Sequence, residues 1–502
     1  MEYFLSALPL VFSPMTLFLA VLGIIAGIII GALPGLSSTM GVALFIPVTY
    51  TMEPATGLVF LAAVYMSSVY GGSISAILIQ TPGTPSAVIT ALDGYELTKQ
   101  GRSGEALSMS IIASTVGGLV SVLALMFLSP PLAQAVVAFG SAEMFLLAIL
   151  GLTIIVSLSK DSLIKGMMVG VFGMLISGVG IDTITGQDRF TMGIMELYGG
   201  IDSVAAVIGM YSASQVFKLA SQKRKTIQYD IGDSISQLKP VSLKTVGKNF
   251  FNMIRSGIIG TYVGILPGAG VSIASALAYN TARSASKKPE EFGNGSLEGL
   301  AASEAANNGV VGGSLIPLLT LGIPGNTVSA VFLGGLIIHG MRPGPRLFTE
   351  FGDVTYALFI GLFVSTIIMM IVGLAGTKIF ARISIVPTNL IVPIILALCV
   401  FGSYSISNNI FNVYIMLVFG FIGYALGQLE FFQAPFVLGM VLGPIAEQEF
   451  RRALMISKGD YGIFVGSPIA IFLVAAIIFF LFYPLFGDKL KSLFKKKTPD
   501  TI

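Results

Sequence analysis

The chain carries a set of motifs that occurs twice, and each copy interrupts an apolar run with Pro-Gly pairs. The pairs are Pro34-Gly35 and Pro82-Gly83 in the first copy, and Pro267-Gly268 and Pro324-Gly325 in the second. The two first pairs are 233 residues apart, the two second pairs are 242 apart, and Gly71 and Gly312 of an intervening Gly-Gly-Ser motif are 241 apart. This agreement in order and spacing indicates one duplicated unit. Proline removes a backbone donor and glycine admits unusual dihedrals, so each pair predicts a break in a helix.

The composition determines the fold class. Apolar residues make up 54% of the 502 residues, charged residues make up 11%, and the mean hydropathy is +0.89. Strand alternation is absent, and a chain in lipid must satisfy its backbone hydrogen bonds internally. We therefore predict an all-α polytopic membrane protein with about 10–14 membrane helices, including broken or re-entrant hairpins. Cys399 is the only cysteine, which excludes an internal disulfide and a cysteine metal cluster.

The charged segments divide the chain into four parts. Residues 1–217 form the first transmembrane repeat and 252–462 the second, joined by a basic linker at 218–251. Residues 463–502 form a final membrane helix and a basic tail. Basic clusters beside membrane spans are normally cytoplasmic, so the linker and the tail are both expected on that side.

The distribution of basic residues favours an inverted relation between the repeats. The predicted loop at 129–136 is uncharged and 159–165 is basic, whereas in the second repeat 378–384 is basic and 402–409 is uncharged. Opposite charge at equivalent loops indicates opposite orientation in the membrane. Five arginines argue against this assignment: Arg102, Arg342, Arg346, Arg451 and Arg452.

Broken helices at matching points of two repeats are typical of the binding site of a secondary transporter. No Lys or Arg occurs in residues 1–98 or 290–341. An anionic solute would therefore rely on helix amino termini, about +0.5 each, together with backbone amides, hydroxyls and a co-bound cation. The predicted substrate-binding residues are Pro34, Gly35, Ser37, Ser38, Thr39, Thr81, Pro82, Gly83, Thr84, Gly268, Gly270, Ser272, Asn307, Asn308, Pro324, Gly325, Asn326 and Thr327.

An ionisable residue inside a span suggests a functional role, so Glu304, with Ser73 and Ser314, is the candidate for binding a coupling ion. The alternative for Glu304 is a position in water at the helix entrance. For the Gly and Pro residues, the alternative is close helix packing, which small residues favour in lipid.

Other functions have little support in the sequence. No Walker motif is present, and Gly268-Ala-Gly270 is only a fragment of a dinucleotide fingerprint without a preceding strand. No nucleophile–base pair or metal cluster is recognisable, so we expect no catalysis and no cofactor, and no metal beyond a possible Na+. We also expect no nucleic-acid partner.

Four segments resemble the large membrane subunit of the tripartite tricarboxylate transporters, the TctA-type family. They are GALPGLSSTMGVALFIP, YGGSISAILIQTPGTPSAVITALDGYELTKQG, GILPGAGVS and GSLEGLAASEAANNGVVGGSLIPLLTLGIPGNTVSAVFLGGLIIHGMRPGP. The family's signature loops correspond to residues 31–39, 81–86, 264–272 and 322–327, with Asn307 and Asn308 in the preceding helix.

The resemblance implies a secondary active symporter in the bacterial inner membrane that imports a di- or tricarboxylate such as citrate with Na+ or H+. It also implies two protein partners, a small four-helix membrane subunit and a periplasmic solute-binding protein. The alternative is a passive carboxylate channel or exporter that works without a binding protein.

Overall fold

The computed structural model describes residues 2–137, 139–157, 163–182, 184–221, 239–266, 271–383 and 392–494. Within these ranges the chain is almost entirely helical, and the only strands form a two-residue antiparallel hairpin. Five helices are long and apolar enough to cross a membrane, and seven shorter apolar helices accompany them in the same ranges. The predicted all-α polytopic membrane fold is confirmed.

The helices and strands follow in chain order. They are α1 Glu2–Val11, α2 Pro14–Ala32, α3 Ser38–Thr49, α4 Pro54–Ile79, α5 Ala87–Lys99, α6 Ser103–Val136, α7 Ser141–Ser157, α8 Leu163–Ser177, β1 Gly180–Ile181, β2 Asp188–Arg189, α9 Ser203–Val207, a π-helix Ile208–Ala213, α10 Ser214–Ser221, α11 Leu243–Ile265, α12 Val271–Ala285, α13 Leu297–Leu321, α14 Thr327–Ile338, α15 Arg346–Thr349, α16 Gly352–Ala375, α17 Thr377–Ile383, α18 Val392–Ser405, α19 Ile410–Gln428, α20 Ala434–Ile456 and α21 Pro468–Phe494. Short 3-10 helices lie at Met195–Leu197, Pro289–Glu291 and Tyr461–Val465.

Three predicted connections are helical. Residues 129–136 belong to α6, which continues through Pro130 and Pro131, and 378–383 belong to α17. The expectation of loops there was wrong because it rested on polarity, and a helix end can be polar. Helix α11 begins at Leu243, inside the expected 218–251 linker, because Ser242 accepts a hydrogen bond from the Thr245 N–H and caps it. Residues 222–238 of that linker and 495–502 of the basic tail lie outside the described ranges.

The chain separates into two compact units. The larger contains residues 1–137 and 202–425, and the smaller contains 138–201 and 426–502. Each compact unit contains residues of both sequence repeats, so the boundaries of the two units do not coincide with those of the two repeats. The repeat boundaries at 1–217 and 252–462 stay a prediction.

The smaller unit contains a paired set of charges beside its hairpin. Asp182 accepts hydrogen bonds from Arg189 at 2.5 Å and Arg451 at 3.0 Å, and Glu447 pairs with the same two arginines. The Ile184 N–H donates to Asp182, and with the arginines it lowers the pKa of this carboxyl below its usual range. Arg451, which argued against inversion, is thus part of an ion-pair network.

The larger unit is built around α4 and α13. Every residue of α4 after Pro54 is buried, and so is almost every residue of α13. Helix α2 crosses α4, and α11 crosses α13, each at points where glycine lets backbone meet backbone. A Cβ on Gly31 would lie 2.2 Å from the Ser68 carbonyl oxygen, and one on Gly264 would lie 2.8 Å from that of Val310.

Candidate functional site

Each described Pro-Gly pair lies between two helices. Pro34 and Gly35 fall between α2 and α3, Pro82 and Gly83 between α4 and α5, and Pro324 and Gly325 between α13 and α14. Gly35 has a φ of 87°, which favours glycine, and its carbonyl accepts a hydrogen bond of 2.5 Å from the Gln215 side chain. Pro267, Gly268 and Gly270 lie outside the described ranges, and Ser272 is in the first turn of α12.

The second break of each half packs against the end of the helix that precedes the first break. A Cβ on Gly83 would lie 2.1 Å from the Gly31 carbonyl oxygen of α2, and one on Gly325 would lie 2.4 Å from the Gly264 carbonyl oxygen of α11. Backbone atoms are in contact at both places, so only glycine fits there.

Equivalent contacts also correct the alignment of the two halves. A Cβ on Gly71 would meet the Ile28 carbonyl oxygen at 2.6 Å, and one on Gly313 would meet that of Thr261 at 2.5 Å. Gly71 thus corresponds to Gly313 at an offset of 242, and the pairing of Gly71 with Gly312 at 241 was wrong by one residue. The repeated Gly-Gly-Ser letters matched out of register with the packing.

Helices α4 and α13 run antiparallel where they cross. Three hydrogen bonds join them: Tyr65 to Ser314, Asn308 to Met66, and Ser73 to Glu304. Rising numbers on α4 thus meet falling numbers on α13. The Asn308 side chain donates to the Met66 carbonyl oxygen at 3.0 Å, and these two residues are 242 apart. The helix of one half therefore contacts the equivalent helix of the other half at equivalent residues.

Two helix amino termini from different halves meet on one side of this crossing. Helix α3 begins after Ser37, whose hydroxyl accepts from the Met40 N–H, and α14 begins after Asn326, whose side chain accepts from the Ser329 N–H. The Thr39 and Thr327 hydroxyls are 3.1 Å apart. The first four N–H groups of a helix have no partner inside the helix, so two sets of donors face one region.

Tyr65 ties this region to α13. Its hydroxyl accepts from the Asn326 side-chain amide at 2.8 Å and lies 3.0 Å from the Ser314 hydroxyl. Asn326 therefore has two tasks, because its oxygen caps α14 while its nitrogen holds Tyr65. The sequence motif identifies Asn326, but nothing in it identifies Tyr65.

Several buried polar atoms near the crossing have no hydrogen-bond partner among the described residues. They are both side-chain atoms of Asn307, the side-chain oxygen of Asn308 and the hydroxyl of Ser38. Asn307 and Asn308 have no exposed surface. Buried amides are normally satisfied, so unpaired ones inside a buried helix are available to a bound molecule.

The other predicted residues lie on the opposite side of the crossing. The Thr84 hydroxyl is 3.1 Å from that of Ser86, and Thr84 packs on Gly72. The Thr81 N–H donates to the Ser75 carbonyl oxygen. Helix α5 then packs on α12, with Ile89 against the Tyr279 and Phe292 cluster. Thr81–Thr84 are thus not brought together with Thr39 and Thr327; they begin a second helix pair, α5 with α12.

Glu304 lies in a cage of hydroxyl groups on this second side. Its carboxylate has no exposed surface and accepts from Ser73 at 2.5 Å, Ser114 at 3.0 Å, Ser110 at 3.1 Å and Thr90. The alternative of a water-exposed Glu304 is therefore wrong, because four helices enclose it. Of the predicted ion-binding trio, Ser73 and Glu304 are together, while Ser314 lies on the Tyr65 side.

Sequence reasoning missed three members of this cage, Thr90, Ser110 and Ser114. Serine and threonine are common in membrane helices, so only the placement of α5 and α6 against α13 distinguishes them. Asp93 was also missed; it accepts from the Gly293, Gly295 and Ser296 N–H groups and so holds the middle of α5 at the start of α13.

Known proteins resemble most of this chain. Residues 17–438 match the tripartite tricarboxylate transporter TctA family. An uncharacterized 52.8 kDa protein from the TAR-I ttuC' 3' region of Agrobacterium vitis is 37% identical over 468 residues, which is 92% of each chain. A second uncharacterized protein, from the TAR-II ttuC' 3' region, is 39% identical over 211 residues, which is 42% of this chain and 87% of that one. No solved structure matches the chain.

Proposed function

Since the chain belongs to the tripartite tricarboxylate transporter TctA family, we propose that this multi-pass membrane protein is the large subunit of a secondary active symporter. It imports a di- or tricarboxylate of the citrate type, coupled to Na+ or H+. The solute is held where the amino termini of α3 and α14 meet. Transport, and not catalysis, is the activity.

One observation carries this proposal: the 3.1 Å contact between Thr39 and Thr327 at the amino termini of two broken helices. An aligned helix presents roughly half a positive charge at that end, so two ends offer about +1 to a carboxylate. No Lys or Arg occurs in α3, α4, α13 or α14. An anion can therefore enter without displacing an ion pair, and it leaves readily because no fixed cation retains it.

The buried amides supply the polar contacts that an anion of several carboxylates needs. The Asn307 side chain and the Asn308 oxygen are unpaired within the described ranges, and the Ser38 hydroxyl is beside Thr39. The amide nitrogen of Asn307 can donate to a carboxylate, and its oxygen can accept from a carboxyl or ligate a co-bound cation. We assign the remaining motif residues, including Pro34, Gly35, Pro324 and Gly325, to shaping the breaks.

We further propose that the halves are inverted repeats. The antiparallel crossing of α4 and α13, with Met66 against its counterpart Asn308, supports this proposal. Two equivalent helices that run in opposite directions across a bilayer belong to oppositely oriented halves. The swap of basic and uncharged residues between equivalent segments of the two halves points the same way.

Family membership supports, for this chain, a place in a tripartite system. We propose that its partners are a small four-helix membrane subunit and a periplasmic solute-binding protein, and that it acts in the bacterial inner membrane. A passive channel or exporter is the competing function. It would have no need of a coupling ion or of a binding protein.

The test is uptake of radiolabelled citrate and related carboxylates into vesicles that contain the full chain and its co-encoded partners. Uptake that requires both an inward Na+ or H+ gradient and added binding protein supports the proposal. Asn326→Ala and Ser38→Ala should each reduce uptake. The matched control is Thr281→Ala, because the exposed Thr281 hydroxyl bonds only within its own helix, to Leu277 at 2.7 Å. Gradient-independent equilibration without binding protein would instead identify a channel.

A further inference from the structure

We propose that the Glu304 hydroxyl cage binds the coupling proton, so that a proton on Glu304 admits the anionic solute. This inference rests on the proposed symport function and names the ion and the residue that function leaves open. The cage joins Ser73 of α4, Thr90 of α5, and Ser110 and Ser114 of α6 to Glu304 of α13.

Among the described residues, Glu304 has no cationic partner. No Lys or Arg among the described residues lies within ion-pair distance of Glu304, whereas Asp182, a buried carboxylate of the smaller unit, pairs with Arg189 and Arg451. A fully buried carboxylate without a counter-ion is costly in lipid, and its neutralisation by a proton removes that cost. Structural buried carboxylates are normally paired, so an unpaired one that has been placed among hydroxyls is suited to change its charge.

The hydroxyl groups around Glu304 suit both of its charge states. Each hydroxyl can donate to an ionised carboxylate and, after rotation of its O–H bond, accept from a protonated one. The cage can therefore satisfy both charge states without movement of its heavy atoms. A metal ion is a poorer fit, because the hydroxyl oxygens of Ser73, Ser110 and Ser114 are already in hydrogen-bond contact with one carboxylate oxygen, at 2.5–3.1 Å.

The polar cage occurs in one half of the chain, and the equivalent positions of the other half are apolar. At the offset of 242, the residues equivalent to Glu304, Ser73 and Thr90 are Ala62, Leu315 and Phe332. These three are also fully buried. The same fold is therefore stable with an apolar filling at this point, so packing does not require the polar cage. A carboxylate in only one half gives the transporter one proton site for the two related positions.

The cage lies close enough to the solute to influence it. Ser73 and Tyr65 are eight residues apart on α4, which is about 12 Å along the helix. At that distance, and with an effective dielectric constant of about 20, an ionised Glu304 weakens the binding of an anion roughly tenfold for each negative charge. Protonation removes this penalty, so proton and anion bind together, as symport requires.

Other titratable groups face the same region and are part of the design of the test. They are Tyr70 of α4, Asp93 of α5, Tyr279 of α12 and, at the solvent-facing start of α6, Glu105 paired with Arg102. On α11, Arg255 donates to Asn252. Asp93 accepts from three backbone N–H groups at 2.8–3.0 Å, which fixes it to the start of α13 and separates it from the cage.

The experiment compares the full chain with Glu304→Gln in nanodiscs, because glutamine keeps the shape and hydrogen bonding of the protonated carboxyl. Citrate affinity is measured against pH for both, and their ratio cancels the ionisation of citrate itself. The ratio should be near one at low pH and should reach tenfold or more in favour of Glu304→Gln at high pH. Glu298→Gln, on the same helix but partly exposed, should follow the wild type. A ratio that does not change with pH would overturn the proposal.

A second readout does not depend on citrate. Infrared difference spectroscopy should show a protonated carboxyl band that is lost as pH rises in the wild type and is missing from Glu304→Gln. Thr90→Val, which removes one donor to the ionised form, should move the loss of that band to higher pH. If citrate binds to neither protein but the carboxyl band still titrates, the proposal of a carboxylate solute fails while the proton site at Glu304 stands. If the wild type lacks the band, the proton site itself is wrong.

Discussion

Asn326 allows the anion site to be tested by a change of charge that leaves the fold intact. In Asn326→Asp, the aspartate can cap α14 as asparagine does, by accepting from the Ser329 N–H, where the present distance is 2.8 Å. The Tyr65 hydroxyl, now 2.8 Å from the Asn326 nitrogen, can rotate and donate to the new carboxylate. Asn326 is buried and no Lys or Arg lies in α3, α4, α13 or α14, so the new charge should lower stability by about 1–3 kcal/mol, and folding of the variant is checked by its thermal midpoint.

The effect on the solute should be large. Asn326 precedes Thr327, so a carboxylate bound at the paired amino termini would lie on the order of 5 Å from the added charge. With an effective dielectric constant of about 20, one pair of like charges at that distance repels by about 3 kcal/mol. The affinity for a carboxylate solute should then fall by roughly a hundredfold or more.

The assay is equilibrium binding of radiolabelled citrate to the full chain in nanodiscs at low and high salt. Asn249→Asp makes the same change on α11, where the Asn249 amide bonds only to the Thr245 carbonyl oxygen, and it should bind citrate as the wild type does. Equal loss in both variants would indicate a general effect of charge. Unchanged affinity in a well-folded Asn326→Asp protein would refute an anion site at these helix ends.

Three further predictions concern the scaffold. Gly83→Ala and Gly325→Ala should each destabilise the protein by about 1–3 kcal/mol, because the new methyl groups would lie 2.1 and 2.4 Å from carbonyl oxygens. The control Gly247→Ala, whose methyl group would meet nothing within 4 Å, should leave the stability unchanged. The midpoint of thermal inactivation in detergent compares the three variants. Gln80→Gly should stabilise the protein by about 0.5–1 kcal/mol, since Gln80 has a φ of 53° where the other half has Gly322 with a φ of 74°. A midpoint of thermal inactivation at a lower temperature than that of the wild type would contradict this prediction. The lowered pKa of Asp182 means that its contribution to stability is present above the unfolded pKa of about 4 and is lost as the pH falls below that value. Amide hydrogen exchange of the β1–β2 hairpin, corrected for its intrinsic pH dependence, should therefore become faster in acid for the wild type, and it should already be fast at neutral pH in Asp182→Asn. Corrected exchange in the wild type that does not change with pH would show that the ion-pair network does not hold the hairpin.

The breaks could be predicted because their cause is local. A Pro-Gly pair in an apolar run ends a helix whatever surrounds it, and duplication made chance unlikely as an explanation for four such pairs. After two of the described breaks the next polar residue, Ser37 or Asn326, caps the following helix, whereas Ser86 after Pro82-Gly83 makes no side-chain cap hydrogen bond. This part of the site can be read from the sequence.

Which break meets which could not be predicted, because it depends on tertiary packing. The first break of one half pairs with the second break of the other, through Thr39 and Thr327. The cage has the same origin: Ser110 and Ser114 are ordinary residues of α6 until α13 places Glu304 between them. The one-residue error in register arose because the Gly-Gly-Ser letters recur at 241 while the backbone contacts recur at 242.

The central claim is that the solute lies between the amino termini of α3 and α14. The most direct measurement is an electron cryomicroscopy map of the full chain in nanodiscs with saturating citrate, compared with one without it. The account predicts new density in contact with Thr39, Thr327 and Asn326. Citrate density at another place in the chain, with the Thr39–Thr327 contact unchanged, would contradict it.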